Sequence, residues 1–199
     1  MTDLLVLHTL RCMGFTDLER VAEATGLSIP ETESHLIDLA VAGLVTKIPS
    51  PFGGWGLTEA GKAADARLVA EELAASGSLP EVADAYETFL GLNPELLDLC
   101  SAWHMRPVGG VPEVNDHKDA AYDGRVLTRF TDLDRRAAPV CHSLTEALPR
   151  FSRYRPRLAA ALARAEAGAM EHLADTTTSY HAVWFQLHED LLVTLGIPR

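Results

Sequence analysis

Residues 16–57 read TDLERVAEATGLSIPETESHLIDLAVAGLVTKIPSPFGGWGL, and the fold turns on this stretch. Thr16 and Glu19 have capping-box spacing, in which each side chain takes one free backbone N–H of a helix start. Leu18, Val21 and Ala22 fall on one face of the short helix that follows. Gly26 is placed to end that helix in the left-handed conformation, which costs glycine little. Ser28 reads as the N-cap of a second helix, with Pro30 near the first position, where a missing N–H is harmless. Thr32, Leu36, Leu39 and Gly43 form one stripe of it. Leu44 to Ile48 alternates as a strand does, Pro49 to Gly54 reads as a turn, and Trp55-Gly56-Leu57 as the returning strand.

Helix, tight turn, helix and hairpin are carried by Leu18, Val21, Ala22, Thr25-Gly26-Leu27, Leu36, Leu39, Gly43-Leu44-Val45, Trp55-Gly56-Leu57-Thr58 and Gly61. Together they resemble the winged helix-turn-helix module of bacterial regulators, including the MarR-like group. The resemblance spans about the first third of the chain. It implies a transcriptional regulator that meets double-stranded DNA through the second helix and the wing. Ser28, Glu31, Ser34, Ile37, Asp38 and Lys47 are the residues at that surface.

The chain has 199 residues, room for one domain or two small ones. Hydrophobic residues make up 47% and charged residues 23%, the balance of a packed protein rather than a disordered one. A net charge of −11 offers no global attraction to nucleic acid or to an anionic membrane. No apolar run is long enough to span a bilayer, and Leu4 to Leu7 is too short and lacks the basic flank of a signal peptide. Cys12, Cys100 and Cys141 are odd in number and far apart, which points to reduced thiols in a cytoplasmic protein.

Before the decisive stretch, Thr2 can cap a helix from Asp3 to Met13. Its Leu4, Leu5, Leu7 and Leu10 spread apolar surface around much of the circumference, suited to burial or to a homodimer interface. After it, Thr58 can cap a helix to about Ala75, and Ser76-Gly77-Ser78 reads as a linker. The domains expected are therefore 1–76 and 77–199. From Ser78 onward the chain reads as helices alone. One is capped by Ser78 and Glu81. The next is capped by Asn93 with Pro94 at its first position, and Pro107 to Pro112 follows as loop. Another begins near Asp119 and is kinked or broken by Pro139. Leu158 to Ala167 and Thr178 to Leu195 complete the set. The fold class expected is mainly α: a winged helix followed by an all-helical C-terminal domain.

The segments FLGLNPELL, VNDHKDAAYD, LPRFSRYRPRLAAALAR and SYHAVWFQLHEDLLVTLG resemble uncharacterised actinobacterial proteins. Those proteins accompany, or are fused to, phosphoenolpyruvate-utilising enzymes of the pyruvate phosphate dikinase type. The phosphohistidine run of such enzymes, a His among small residues, does not occur here. The resemblance therefore suggests a partner protein rather than the phosphotransfer domain.

Charge bears on the DNA reading. No Lys or Arg lies between Arg20 and Lys47, and residues 1–76 hold five basic and eleven acidic side chains. Affinity for DNA comes largely from neutralised phosphates, so this balance weighs against tight binding. Ile37 and Val41, off the apolar stripe, suggest protein contact instead. A second candidate surface is aromatic and polar. His181, Trp184 and His188 share one face of the last helix, with Tyr180 and Phe185 beside them. Trp103, His104, Arg106, Asn115, Asp116, His117 and Tyr122 are suited to line the opposite wall of a small-molecule pocket. A metal held by His181, His188 and Asp116 or His117 lacks any compact ligand motif, so no metal or cofactor is expected. Arg150, Arg153, Arg155, Arg157 and Arg164 form a basic segment read as a solvated, ion-paired face or an anion-docking patch. No GxSxG, P-loop or GxGxxG is present, so no classical nucleophile arrangement is supported, and a small enzyme using the His181/His188 cluster stands third behind the two readings that follow. The reading is a ligand-responsive winged-helix transcriptional regulator. Its rival is an accessory protein whose winged helix docks a partner protein.

Overall fold

The computed structural model describes residues 2–49 and 53–198. It is mainly helical, with eight α-helices and two two-stranded antiparallel sheets among these residues. Contacts group the chain into two compact units, Met1–Leu79 with Gln186–Arg199, and Pro80–Phe185. No described helix is long and apolar enough to cross a membrane.

The first unit contains α1 (Thr2–Met13), α2 (Leu18–Thr25), α3 (Ile29–Val41), β1 (Val45–Ile48), β2 (Gly54–Leu57) and α4 (Glu59–Ser76). Val6, Leu7 and Leu10 of α1 pack with Val21, Leu36, Leu39, Val45 and Trp55 in one buried core. Gly26 ends α2 at φ 75°, as its place in the sequence requires. Ser28 caps α3, and Glu31 completes a capping box by accepting the Ser28 N–H at 3.0 Å. The strands pair from Val45 with Leu57 to Ile48 with Gly54. Part of the turn expected at Pro49 to Gly54 lies outside the described residues.

The cap of α2 differs from expectation. Asp17, not Thr16, accepts the Arg20 N–H at 2.8 Å. Thr16 exchanges both backbone hydrogen bonds with Trp55, at 3.0 and 2.8 Å, which adds it to the hairpin as an isolated bridge. A residue held in extended pairing on β2 has its side chain turned into the core, where Thr16 is buried, and the cap passes to the next residue. At the base of the hairpin, a Cβ on Gly61 would lie 1.9 Å from the Leu44 carbonyl oxygen. Only glycine lets α4 come this close to the backbone entering β1.

The second unit opens with α5 (Leu79–His104), one helix where the sequence suggests two. Asn93 does not act as a cap. Its side-chain oxygen accepts the Trp184 indole N–H at 3.0 Å instead. Pro94 is exposed inside the helix, so the chain loses one backbone bond there without breaking. The expected loop Pro107 to Pro112 is also replaced. Residues β3 (Met105–Val108) and β4 (Val111–Val114) form an antiparallel hairpin, so the C-terminal part is not all-helical and the first hairpin is not the sole sheet. Gly109 and Gly110, at φ 59° and 86°, supply the two positive dihedrals of a tight type I′ turn. Each strand of a two-stranded sheet has a free edge, where Pro107 and Pro112 need not donate. The helix α6 (Ala120–Ala147) runs unbroken through exposed Pro139. A 3-10 turn, Pro149–Arg153, leads into α7 (Tyr154–Glu166), and a second, Met170–His172, precedes α8 (Tyr180–Thr194).

Candidate functional site

Three places carry chemistry. The first is the outer face of α3. Ser28, Glu31, Ser34, Ile37 and Asp38 are all exposed. Ile29, Glu33, Ile37 and Val41 follow one another at four-residue spacing, so they form one row. Three of the four are apolar and stand 47, 50 and 86% exposed. Lys47, on β1, is exposed, with its ammonium 5.2 Å from the Trp55 ring centroid. The Glu31 carboxylate, beside this row, is held below its ordinary range by the Ser28 hydroxyl and N–H.

The second place is where α5, β3–β4 and the start of α6 meet. Trp103 is at its centre. Its ring lies 4.1 Å from that of His117, and its N–H donates to Asp175 at 2.7 Å. Asn115, buried, donates to the Trp103 carbonyl at 3.1 Å and to Asp123 at 2.8 Å. Its side-chain oxygen accepts the His117 N–H, which holds His117 in a left-handed turn at φ 55°. The Tyr122 hydroxyl bonds the Ala102 and Met105 carbonyls at 2.8 and 3.0 Å. Arg106 pairs with Asp116 at 3.3 Å. His104 lies 3.4 Å from Asp175. His181 is half-buried, and burial together with nearby His104 lowers its pKa. A groove of about 300 Å³ runs along Ser101, Ala102, Met105, Arg106, Pro107 and Tyr122.

The sequence-derived pocket is thus divided. Trp103, His104, Asn115, His117, Tyr122 and His181 share a neighbourhood, and Arg106 and Asp116 stand at its edge. Tyr180 and Trp184 are core instead, 0 and 2% exposed. The Tyr180 hydroxyl donates to Asp134, and Trp184 stacks on Phe89 at 4.5 Å. Their aromatic surface is spent on packing. His188 is on the stretch of α8 that groups with the first unit. The basic segment is likewise not one face. Arg155 holds Asp134, while Arg150 and Arg153 lie over the Phe151 and Tyr154 rings at 4.5 and 4.9 Å.

The third place was not singled out in the sequence. His8, Asp65 and Asp190 are each 0% exposed, and Cys12 is 5% exposed, all within the first unit. His8 Nδ1 lies 3.0 Å from Asp65 Oδ1, and Nε2 lies 3.0 Å from Asp190 Oδ1. Cys12 Sγ is 3.6 Å from the same Nε2. Burial works against a charged imidazole here. The Cys12 sulfur and the two carboxylates outweigh it, and the His8 pKa stands well above 6.5. The Thr194 hydroxyl, one turn along α8, bonds Asp190 Oδ1 at 3.1 Å. One signal was readable in advance: His8 and Cys12 are four residues apart on one helix, a spacing that puts two ligating side chains on one face. Asp65 and Asp190 gave none, being distant in sequence and ordinary in context. No family model matches the chain, and neither a curated protein nor a solved structure matches it.

Proposed function

We propose that the chain is a winged-helix regulatory protein that acts through α3 and the β1–β2 hairpin, with the groove beside Tyr122 receiving a small-molecule ligand. The observation that carries this reading is the order of the first unit. A helix, a glycine turn, a capped helix and an antiparallel hairpin leave the outer face of α3 open along its whole length. In the leading reading that face and Lys47 meet double-stranded DNA, as one half of a homodimer.

The composition of the face favours a second reading. Ile29, Ile37 and Val41 are exposed among Glu31, Glu33 and Asp38, with no Lys or Arg on the helix. A major-groove helix contacts phosphates and base edges with Arg, Lys, Asn or Gln, and apolar-acidic surface suits a protein partner better. A phosphoenolpyruvate-utilising enzyme is the partner that the C-terminal resemblance suggests.

Titration of labelled duplex DNA at two salt concentrations separates the two. Each phosphate contact adds roughly 0.9 to the salt slope. Nanomolar, sequence-selective binding at physiological salt establishes the regulator reading. In that case Glu31→Gln with Glu33→Gln strengthens non-specific binding. No DNA binding by either protein, with Ile37→Glu lowering the mass measured by light scattering, establishes docking between copies or with a partner. If Ile37→Glu and Val41→Glu change neither DNA binding nor association, α3 is not the working surface.

A further inference from the structure

We propose that His8, Cys12 and Asp190 form a buried site for one divalent transition-metal ion, zinc by preference, with Asp65 orienting His8 from behind. Three kinds of donor converge: imidazole nitrogen, thiol sulfur and carboxylate oxygen. They come from α1 and α8, and their ligand atoms all lie within 4.8 Å of one another. Random burial of such groups is uncommon, because each costs free energy unless paired or ligated.

Both separations from His8 Nε2 are close to those around a tetrahedral ion. With metal–nitrogen and metal–oxygen bonds of about 2.0–2.1 Å and metal–sulfur of about 2.3 Å, neighbouring donors stand roughly 3.3–3.6 Å apart. His8 Nε2 is 3.6 Å from Cys12 Sγ and 3.0 Å from Asp190 Oδ1. The sulfur is already at the spacing an ion needs, and the carboxylate must withdraw by only a few tenths of an ångström.

The outer arrangement matches what metal sites require. A ligating histidine gives its other N–H to a carboxylate, which fixes the ring and raises its basicity. Asp65 does this from α4, with both oxygens facing Nδ1 at 3.0 and 3.3 Å. The Thr194 hydroxyl donates to the Asp190 carbonyl at 2.7 Å and lies 3.1 Å from Asp190 Oδ1, which fixes the position of that side chain. Cys12 would ligate as the thiolate and His8 through an unprotonated Nε2, so binding releases protons to solvent. Thiolate with imidazole selects zinc over the oxygen-seeking magnesium and calcium. Nothing in this depends on what α3 contacts.

The test uses the full chain, stripped with a chelator and titrated with Zn²⁺ or Co²⁺. One ion should bind per chain, with a thiolate-to-cobalt charge-transfer band and a raised melting temperature. Cys12→Ser should abolish the band and weaken Zn²⁺ binding more than 100-fold, and Asp65→Asn should weaken it about 10- to 100-fold. Cys100→Ser and Cys141→Ser should change neither. X-ray absorption of the zinc-loaded wild type needs no variant to fold. It should show one sulfur at about 2.3 Å beside nitrogen and oxygen at about 2.0 Å. No stoichiometric binding, a zinc shell of nitrogen and oxygen alone, or a cobalt band that survives Cys12→Ser overturns the proposal. The cluster is then a proton-bridged core triad.

Discussion

Arg155 grips Asp134 with both ends of its guanidinium, Nη2 lying 2.7 Å from Oδ2 and Nη1 on Oδ1. The same Oδ1 accepts the hydroxyl of fully buried Tyr180 at 3.1 Å. A single carboxylate on α6 thereby ties α7 and the start of α8 to one point of the second unit. The paired charge holds the Arg155 pKa up, and the Tyr180 hydroxyl is pushed well above its ordinary value, first by burial and then by Asp134.

Asp134→Ala should therefore destabilise the protein by about 2–3 kcal/mol, because it strands a cation and a buried hydroxyl together. Asp132, two residues earlier on α6, pairs with Arg135 on an exposed surface. Its replacement by Ala should change stability by less than about 0.5 kcal/mol. Urea unfolding of the two variants beside wild type checks the contrast.

Gly61→Ala should cost about 2 kcal/mol or more, since the added methyl meets the Leu44 carbonyl, a backbone atom that cannot swing away. Gly91→Ala, on the exposed surface of α5 with no atom within 4 Å of the new methyl, should be neutral or slightly stabilising. Thermal melts of both variants measure the difference.

His181 supplies a pH dependence. Burial and then His104 lower its folded pKa beneath the ordinary 6.5. The unfolded chain takes up this proton first. The contribution to stability is full above pH 6.5 and is lost as the pH falls from there through the folded value. Proton NMR titration should place the His181 imidazole below 6.5, and His104→Ala should move it upward. A His181 value at or above 6.5 contradicts the assignment.

The cysteines of the second unit should be inert. Burial, aided by Asp175, pushes the Cys100 thiol up to about 12, and burial outweighing nearby Arg155 pushes Cys141 to about 11. Thiolate is the reactive form. Iodoacetamide at pH 8 should leave both unmodified in the folded chain, and urea should expose them, as mass spectrometry of the digested protein can follow.

Local chemistry in the sequence determined most of the first unit. Ser28, Pro30, Gly26 and Thr58 state where helices start and stop, because caps and turns depend on residues within a few positions of each other. The alternation of Leu44 to Ile48 and the return at Trp55 likewise mark a hairpin, to which Thr16 adds a bridge from outside. Pro94 reads as the start of a separate helix, and α5 runs through it, for a related reason. A proline weakens a helix locally, but the packed faces on either side hold it together, and only the tertiary contacts show which effect wins. Gly109-Gly110 held a turn signal that the flanking prolines obscured. The sites depended on the tertiary structure far more. Tyr180 and Trp184 share a helix with His181, yet partners from α5 and α6, Asn93, Phe89 and Asp134, decide that they are core. His8, Asp65 and Asp190 meet from positions spread over nearly the whole chain, and no short-range pattern encodes such a meeting. Donor chemistry is written residue by residue, whereas the distances between donors exist only after the helices have packed.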